Sequence, residues 1–180
     1  MAHVIHSINT TASGSCYHLD SAVDDAHLRY ATNLTLSADT LIFGRNTFDL
    51  FMEFWPDAVN DNDLPEQTQA LAKALYDVPK IVVSKRPVSL SWHNTRHLPW
   101  DSLSDAVRSL QGKAVIFGSP SLASSLLNEK LVNEIHLLCQ PYIGVEGPHA
   151  YSGVKERVDL RLMDANPLAS GQVLLRYTVV

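Results

Sequence analysis

The sequence predicts a three-layer α/β domain: a central, mostly parallel mixed sheet flanked by helices, with an antiparallel hairpin at its C-terminal end. Three observations carry this. Apolar runs of strand length alternate with helix-forming segments through most of the 180 residues. Two of the runs, TLIFG at 40–44 and VIFG at 115–118, stop on a glycine and pass at once into a helix-forming stretch. The chain then closes with two extended runs, VDLRLMDANPL and QVLLRYTVV, joined through Ala169-Ser170-Gly171.

Each element has its own warrant. AHVIHSI (2–8) is a short apolar strand, and NTTASGSCYHLD (9–20), rich in Thr, Ser and Gly, reads as a loop. Ser21 with Asp24 three residues on has the spacing of a capping box, so a helix is expected from there to Leu36. DTLIF (39–43) is continuous and apolar, the pattern of a strand buried on both faces. RNTFDLF (45–51) is a short helix, and the turn-rich WPDAVNDNDLPE (55–66) reads as an exposed, mobile flap. PEQTQALAKALYD (65–77) opens on a proline suited to a first helical turn. KIVVS (80–84) is strand, KRPVSLSW (85–92) loop and NTRHL (94–98) strand. Asp101 or Ser102 caps a helix through Leu110, KAVIFG (113–118) is strand, SPSLASSLLNEK (119–130) helix and NEIHLLCQPYI (133–143) strand.

Composition sets the outer limits. At 46% hydrophobic and 18% charged residues, the 180-residue chain suits one soluble globular domain, residues 1–180. A net charge of −5 without a basic run argues against nucleic-acid or anionic-membrane binding. The N-terminus lacks a signal-peptide pattern and no apolar run is long enough to span a membrane, so a cytoplasmic protein is expected. Cys16 and Cys139 are too few and too far apart for a disulfide framework or a zinc site and read as thiols of a reducing compartment. No metal site is expected.

In parallel sheets of this kind ligands bind beyond the carboxyl ends of the strands. The residues standing there share a chemistry. Gly44, Arg45, Asn46 and Thr47 follow TLIF; Ser84, Lys85 and Arg86 follow IVV; Phe117, Gly118, Ser119, Pro120, Ser121 and Leu122 close the second glycine run. Glycine lets backbone approach a ligand closely, and a helix N-terminus offers unpaired N–H groups to an anion. Three cations beside two such turns point to a ligand with several phosphates, a dinucleotide, with cations to spare for a 2′-phosphate. Strand-Gly-helix turns also occur for packing alone, and convergence of the three groups is what favours the binding reading.

Other motifs fail. There is no G-x-G-x-x-G, no G-x-x-x-x-G-K-[ST], no H-E-x-x-H and no G-x-S-x-G. His3, His6 and His136 fall in expected strands and read as hydrogen-bonded or surface histidines.

The pieces SADTLIFGRNTFDLF, EFWP, VPKIVVSKRP, VIFGSPSLASSLLNEKLVNEIHLLCQPYIG and SGQVLLRYTVV, in this order over nearly the whole chain, resemble the dihydrofolate-reductase-like superfamily. They are most similar to small bacterial proteins related to the reductase domain of the bifunctional riboflavin-biosynthesis deaminase/reductase. The resemblance implies an NADPH-binding domain, often a homodimer, that passes hydride to a pterin-, pyrimidine- or flavin-like heterocycle or to a carbonyl or imine. It implies that the two glycine turns flank the NADPH phosphates, that Ser84, Lys85 and Arg86 hold the 2′-phosphate end, and that Ile8 and Asn9 border the nicotinamide. Relatives carry Ser-Leu-Asp-Gly after the first strand; Thr11-Ala12-Ser13-Gly14 stands here, so Ser13 replaces a carboxylate on the substrate side.

Asp24, Asp25 and His18 are the candidate proton donors, the two aspartates being equally suited to favour a helix N-terminus by charge. Phe54 and Trp55 could stack a flat substrate or serve as core or dimer contacts. Two readings from other classes stay open: a catalytically silent nucleotide-binding domain, kept alive by Ser13, and an interaction-only scaffold.

Overall fold

A computed structural model describes the backbone of residues 1–180 and every side chain except that of Asp20. Its eight strands form one sheet in the order β4-β3-β2-β5-β1-β6-β8-β7. Strands β1 (His3–Thr11), β2 (Thr40–Gly44), β3 (Lys80–Ser84), β4 (Thr95–Pro99), β5 (Lys113–Phe117) and β6 (Glu134–Gln140) run parallel. β8 (Val173–Val179) is antiparallel to β6, and β7 (Leu160–Pro167) closes the hairpin at the edge. The expected three layers and terminal hairpin are therefore present. β6 is interior; the two edges of the sheet are β4 and β7.

Alternation of side chains along the strands divides the core in two. Val4, Ile42, Ile81, Val83, Ala114 and Ile116 face α5 (Leu103–Ser109) and α6 (Pro120–Asn128). Ile5, Leu41, Phe43, Val82 and Val115 face α1 (Asp25–Leu36) and α4 (Glu66–Asp77), with Phe48 of α2 (Arg45–Met52). Strands buried on both faces cannot show a polar alternation, which is why TLIF, IVV and VIF are continuously apolar. The exception is Lys80, 1% exposed, whose Nζ donates to the carbonyls of Leu75, Tyr76 and Val78 and so satisfies the C-terminal end of α4.

Several expectations are corrected. β1 does not stop at Ile8: pairing with β6 continues through Asn9↔Leu138, Thr10↔Cys139 and Thr11↔Gln140, so three residues read as loop are strand. The first helix starts at Asp25, not Ser21. Asp24 is its N-cap, accepting from the His27 N–H at 2.7 Å, whereas Ser21 is extended and precedes the helix by four residues. The turn-rich segment begins with a short helix, α3 (Trp55–Ala58), and Gln69 ties the rest down by donating to the carbonyls of Asn62 and Leu64. The helix expected from Asp101 or Ser102 to Leu110 is present as α5, with Ser102 at its N-cap position and Leu110 at its C-cap; what the sequence did not show is the 3₁₀ turn Trp100–Ser102 before it. Among the described residues, no helix is long and apolar enough to cross a membrane, and no group of His, Cys, Asp and Glu could hold a metal ion.

Candidate functional site

The three strand-end groups converge, because β2 lies between β3 and β5 in the sheet. They line one cleft of about 910 Å³, to which Gly44, Arg45, Asn46 and Thr47, then Ser84, Lys85 and Arg86, then Ser119, Pro120, Ser121 and Leu122 all contribute. That is the size of a site for a drug-sized or cofactor-sized molecule. Phe117 and Gly118 lie just beneath it and do not line it.

The two glycine turns are locked to each other. The Gly44 N–H donates to Ser119 Oγ at 2.8 Å, and the Ser119 N–H donates to Thr47 Oγ1 at 3.0 Å. Ser119 Oγ in turn donates to the Phe117 carbonyl at 3.0 Å. The glycines are there for different reasons. Gly118 has φ +54, where a side chain is strained, and a Cβ on it would meet Thr47 Oγ1 at 3.1 Å. Gly44 has an ordinary φ of −74 and is small because Ser119 approaches to 3.3 Å of its missing Cβ.

Since the N–H groups of Gly44 and Ser119 are spent on this lock, the donors that face the cleft are those of the helices themselves. Neither α2 nor α6 has a side-chain N-cap, which leaves the first-turn N–H groups at Arg45–Thr47 and at Ser121 and Leu122 without intrahelical acceptors. Pro120 at the first turn of α6 has no N–H to leave unsatisfied. The third turn is held by Ser84 Oγ, which donates to the Arg86 carbonyl and lies 3.0 Å from His97 Nε2.

Arg45 is paired with Asp49 one turn along α2, Nε to Oδ2 at 2.6 Å. Both side chains are about half exposed, so the pair holds Arg45 only weakly. No ion pair among the described residues involves Lys85 or Arg86. The cleft thus presents two helix N-termini and two unpaired cations within an acidic chain.

The opposite wall consists of Cys16, Tyr17, His18, Gly147 and Pro148, and Trp100, which follows β4, also lines the cleft. Apart from His18, sequence reasoning missed them. The Cys16 N–H donates to the Pro148 carbonyl at 2.9 Å, and Ser15 bridges to His149, so two loops more than a hundred residues apart form this wall. Gly147, at φ +79, lies where a Cβ would meet Tyr17 Cβ at 2.7 Å. The Gly-Pro pair in VEGPHA was the one available signal, and it marks a turn without saying what the turn packs on.

Other expected residues lie elsewhere. Asp24 is the α1 cap, and the bond from the His27 N–H holds its carboxyl below the usual range; Asp25 is exposed beside it, and neither lines the cleft. Ser13 Oγ donates to the Gly144 carbonyl at 2.8 Å and meets Thr11 Oγ1 at 2.9 Å. Phe54 is exposed over a shallow acidic hollow, whereas Trp55 packs on Phe51, ring centroids 6.2 Å apart. Ile8 is buried and Asn9 half-buried in β1, outside the cleft lining.

Two buried polar groups are built on His136 and His6, which the sequence placed in strands as hydrogen-bonded or surface histidines; both are hydrogen-bonded, to partners the sequence did not name. On the α1 face, His136 Nε2–H donates to Glu134 Oε2 at 3.1 Å, leaving Nδ1 to accept from Tyr30 Oη at 2.8 Å, and Ser7 Oγ lies 2.9 Å from the same phenol. Burial pushes the Tyr30 phenol up and the His136 imidazole down from their ordinary pKa values. On the α6 face, His6 lies under the second glycine turn, wholly buried, its pKa lowered by that burial to about 4.

Residues 10–174 match the family model described as the RibD C-terminal domain. Among curated proteins, the chain is 27% identical to YyaP, an uncharacterized protein of Bacillus subtilis (strain 168), over 81% of this chain and 77% of that one. Among solved structures it superposes on a pyrimidine reductase-like protein of Corynebacterium diphtheriae with a TM-score of 0.71, at 16% identity, covering 99% of this chain and 92% of the other. A dihydrofolate reductase of Enterococcus faecalis, complexed with NADP(H), gives 0.68 at 13% identity over 98% and 96%. Acinetobacter baumannii RibD gives 0.65 at 13% identity, with all of this chain covering 58% of that protein. At these identities the superpositions speak for the fold.

Proposed function

The chain belongs to the RibD C-terminal domain family, and from that premise we propose that it is an NADPH-dependent reductase of a small heterocyclic, carbonyl or imine substrate. The observation that carries the proposal is the cleft itself, in which two uncapped helix N-termini and the cations Lys85 and Arg86 face one volume of about 910 Å³. Anions are favoured where unpaired N–H groups and the positive end of a helix dipole coincide.

The residues fit a dinucleotide phosphate. First-turn N–H groups of α2 and α6 would take the pyrophosphate, and Lys85 and Arg86 would take a 2′-phosphate, which is the ground for preferring NADPH over NADH. Arg45 would exchange Asp49 for a phosphate oxygen, since the surface pair it leaves is worth under about 1 kcal/mol. Bound there, the cofactor supplies the hydride. These groups would hold it, and the far wall, with Tyr17 and Pro148, would cover its other side. His18 lines the cleft and is the proton donor we propose, placed to supply a proton to the atom that reduction would leave basic. Phe54, exposed just past the end of α2 and outside the cleft lining, is the stacking surface we propose for a flat acceptor that extends beyond the cleft, while Trp55 packs on Phe51. A homodimer belongs to the same reading; β7, with exposed Leu160, Leu162 and Met163, is the edge offered for it.

One observation favours a second reading, a silent nucleotide-binding domain. Ser13 spends its hydroxyl on Gly144 and supplies no acid, and among the described residues the one aspartate lining the cleft, Asp49, is paired with Arg45.

Calorimetric titration of the wild type and Arg45→Ala with NADPH and NADH tests the cofactor site. The expected result is tighter binding of NADPH than NADH and a weakening of about fivefold or more in the variant. Binding of neither nucleotide refutes both readings. NADPH binding with no oxidation across a panel of heterocycles and carbonyls refutes the reductase and leaves the silent domain.

A further inference from the structure

We propose that His6 and Tyr151 are positioning residues for the Gly118–Ser119 turn, and that they couple this turn to the far wall of the cleft. The inference rests on the reading of that turn as part of a nucleotide site.

Both ring nitrogens of His6 are engaged. Nε2 lies 2.7 Å from the Gly118 carbonyl oxygen, so it carries the proton and donates. Nδ1 lies 2.8 Å from Tyr151 Oη and accepts from the phenol. The two rings meet edge to face, centroids 5.4 Å apart and planes at 83°. One donor and one acceptor define a single neutral tautomer, and complete burial favours the uncharged ring.

The peptide unit joining Gly118 to Ser119 is thereby pinned at both ends. Its oxygen takes the His6 proton, and its N–H goes to Thr47 Oγ1 at 3.0 Å. The preceding N–H, of Gly118, donates to the Ser7 carbonyl at 2.8 Å. This matters because Gly118 and Ser119 are consecutive left-handed residues, φ +54 and +53, and Ser119 carries a side chain in a region that serine rarely adopts. Such a conformation persists only where its surroundings over-determine it. Among the described residues, His6 is the one side chain that holds the carbonyl end of this peptide.

Tyr151 comes from a distant part of the chain. Residues 141–159 run from the end of β6 past the cleft, where Gly147 and Pro148 form its wall, and return over α6. The Ala150 N–H donates to the Gly14 carbonyl at 3.0 Å, and Asn128 Nδ2 on α6 donates to the Gly153 carbonyl at 3.0 Å. Tyr151 sits between these anchors, itself at φ +65. A displacement of the Gly147–Pro148 wall is therefore transmitted through the phenol and the imidazole to the turn below α6.

Amide hydrogen exchange, read residue by residue, and NADPH calorimetry on Tyr151→Phe, His6→Gln and His6→Leu test the assignment. Tyr151→Phe keeps the ring and removes the hydroxyl that orients His6. It is expected to speed exchange at Gly118 and Ser119 by about tenfold while amides in β6 and β8 keep their rates, and to weaken NADPH by about three- to tenfold, the worth of one neutral hydrogen bond. His6→Leu removes the donor altogether and gives the larger effect, whereas His6→Gln, whose amide can donate to the Gly118 carbonyl, recovers much of it. Unchanged exchange at Gly118 and Ser119, or acceleration spread evenly over the strands, overturns the proposal. Should the wild type bind no NADPH, the reductase reading falls, and the exchange measurement still decides whether the pair positions the turn.

Discussion

Gly118→Ala and Gly44→Ala make the same chemical change at two turns that look alike in sequence, yet the structure assigns them unequal costs. At Gly118, φ is +54, and an L side chain there costs about 1–2 kcal/mol. The new Cβ also falls 3.1 Å from Thr47 Oγ1 and 3.2 Å from Thr47 Cγ2. Moving Thr47 aside weakens its bond from the Ser119 N–H, worth about 1 kcal/mol. The stiffer unfolded chain returns about 0.5 kcal/mol, which leaves a net destabilisation near 2 kcal/mol. At Gly44 the backbone is ordinary, φ −74, and the nearest atoms are Ser119 Cβ and Oγ at 3.3 Å, so a shift of a few tenths of an ångström suffices. Its cost is offset by the same unfolded-state term and should stay within about 0.5 kcal/mol of zero. For a chain of this size the difference corresponds to about 4–8 °C in Tm, readable by circular dichroism in a thermal scan and checked by urea denaturation. Thr47→Ser, which removes the methyl at 3.2 Å and keeps the hydroxyl, should make the Gly118 substitution cheaper. Equal losses at the two glycines, or a larger loss at Gly44, would refute the argument.

Two further outcomes follow from the buried polar groups. His6 has its pKa lowered from 6.5 to about 4 by burial. The unfolded chain then binds more protons than the folded one between those values, so stability is full above pH 6.5 and falls as pH drops towards 4, by up to about 3 kcal/mol. Urea midpoints at pH 7 and pH 4.5 should converge more in His6→Gln than in the wild type, and an identical pH dependence in the two proteins would show that His6 does not titrate this way. Tyr30→Phe strips the hydroxyl shared by Ser7 and His136 and leaves His136 Nδ1 buried without its donor; a loss of about 1–3 kcal/mol in urea denaturation is expected, and a loss below about 0.5 kcal/mol would mean the site repacks or admits water.

The sequence by itself determined the layers and the convergence. Continuous apolar runs such as TLIF and VIF, of strand length and ended by a glycine, read as strands covered on both faces, and parallel strands deliver whatever follows them to one end of the sheet. Gly44–Thr47, Ser84–Arg86 and Ser119–Leu122 could therefore be assigned to one cleft from their places in the chain. Local chemistry was legible wherever it acts over a few residues, as with Pro120 at the first turn of α6. It misled where two local solutions compete: Ser21 and Asp24 could each cap a helix, and the carboxylate three residues before His27 took the N–H. The polar Asn9-Thr10-Thr11 read as loop because its strand character comes from β6, more than a hundred residues away.

Only the tertiary structure decided what each turn does with its hydrogen bonds. The two glycine turns were expected to aim N–H groups at a ligand, but the N–H groups of Gly44 and Ser119 bind the turns to each other, and the helix N-termini behind them are what face the cleft. The wall formed by Cys16–His18 and Gly147–Pro148, and the contact of His6 with Tyr151, join segments 132 and 145 residues apart. Such pairings leave no periodicity and no spacing in the chain, because a side chain's partner across a fold is set by the packing of whole elements and not by its neighbours in sequence.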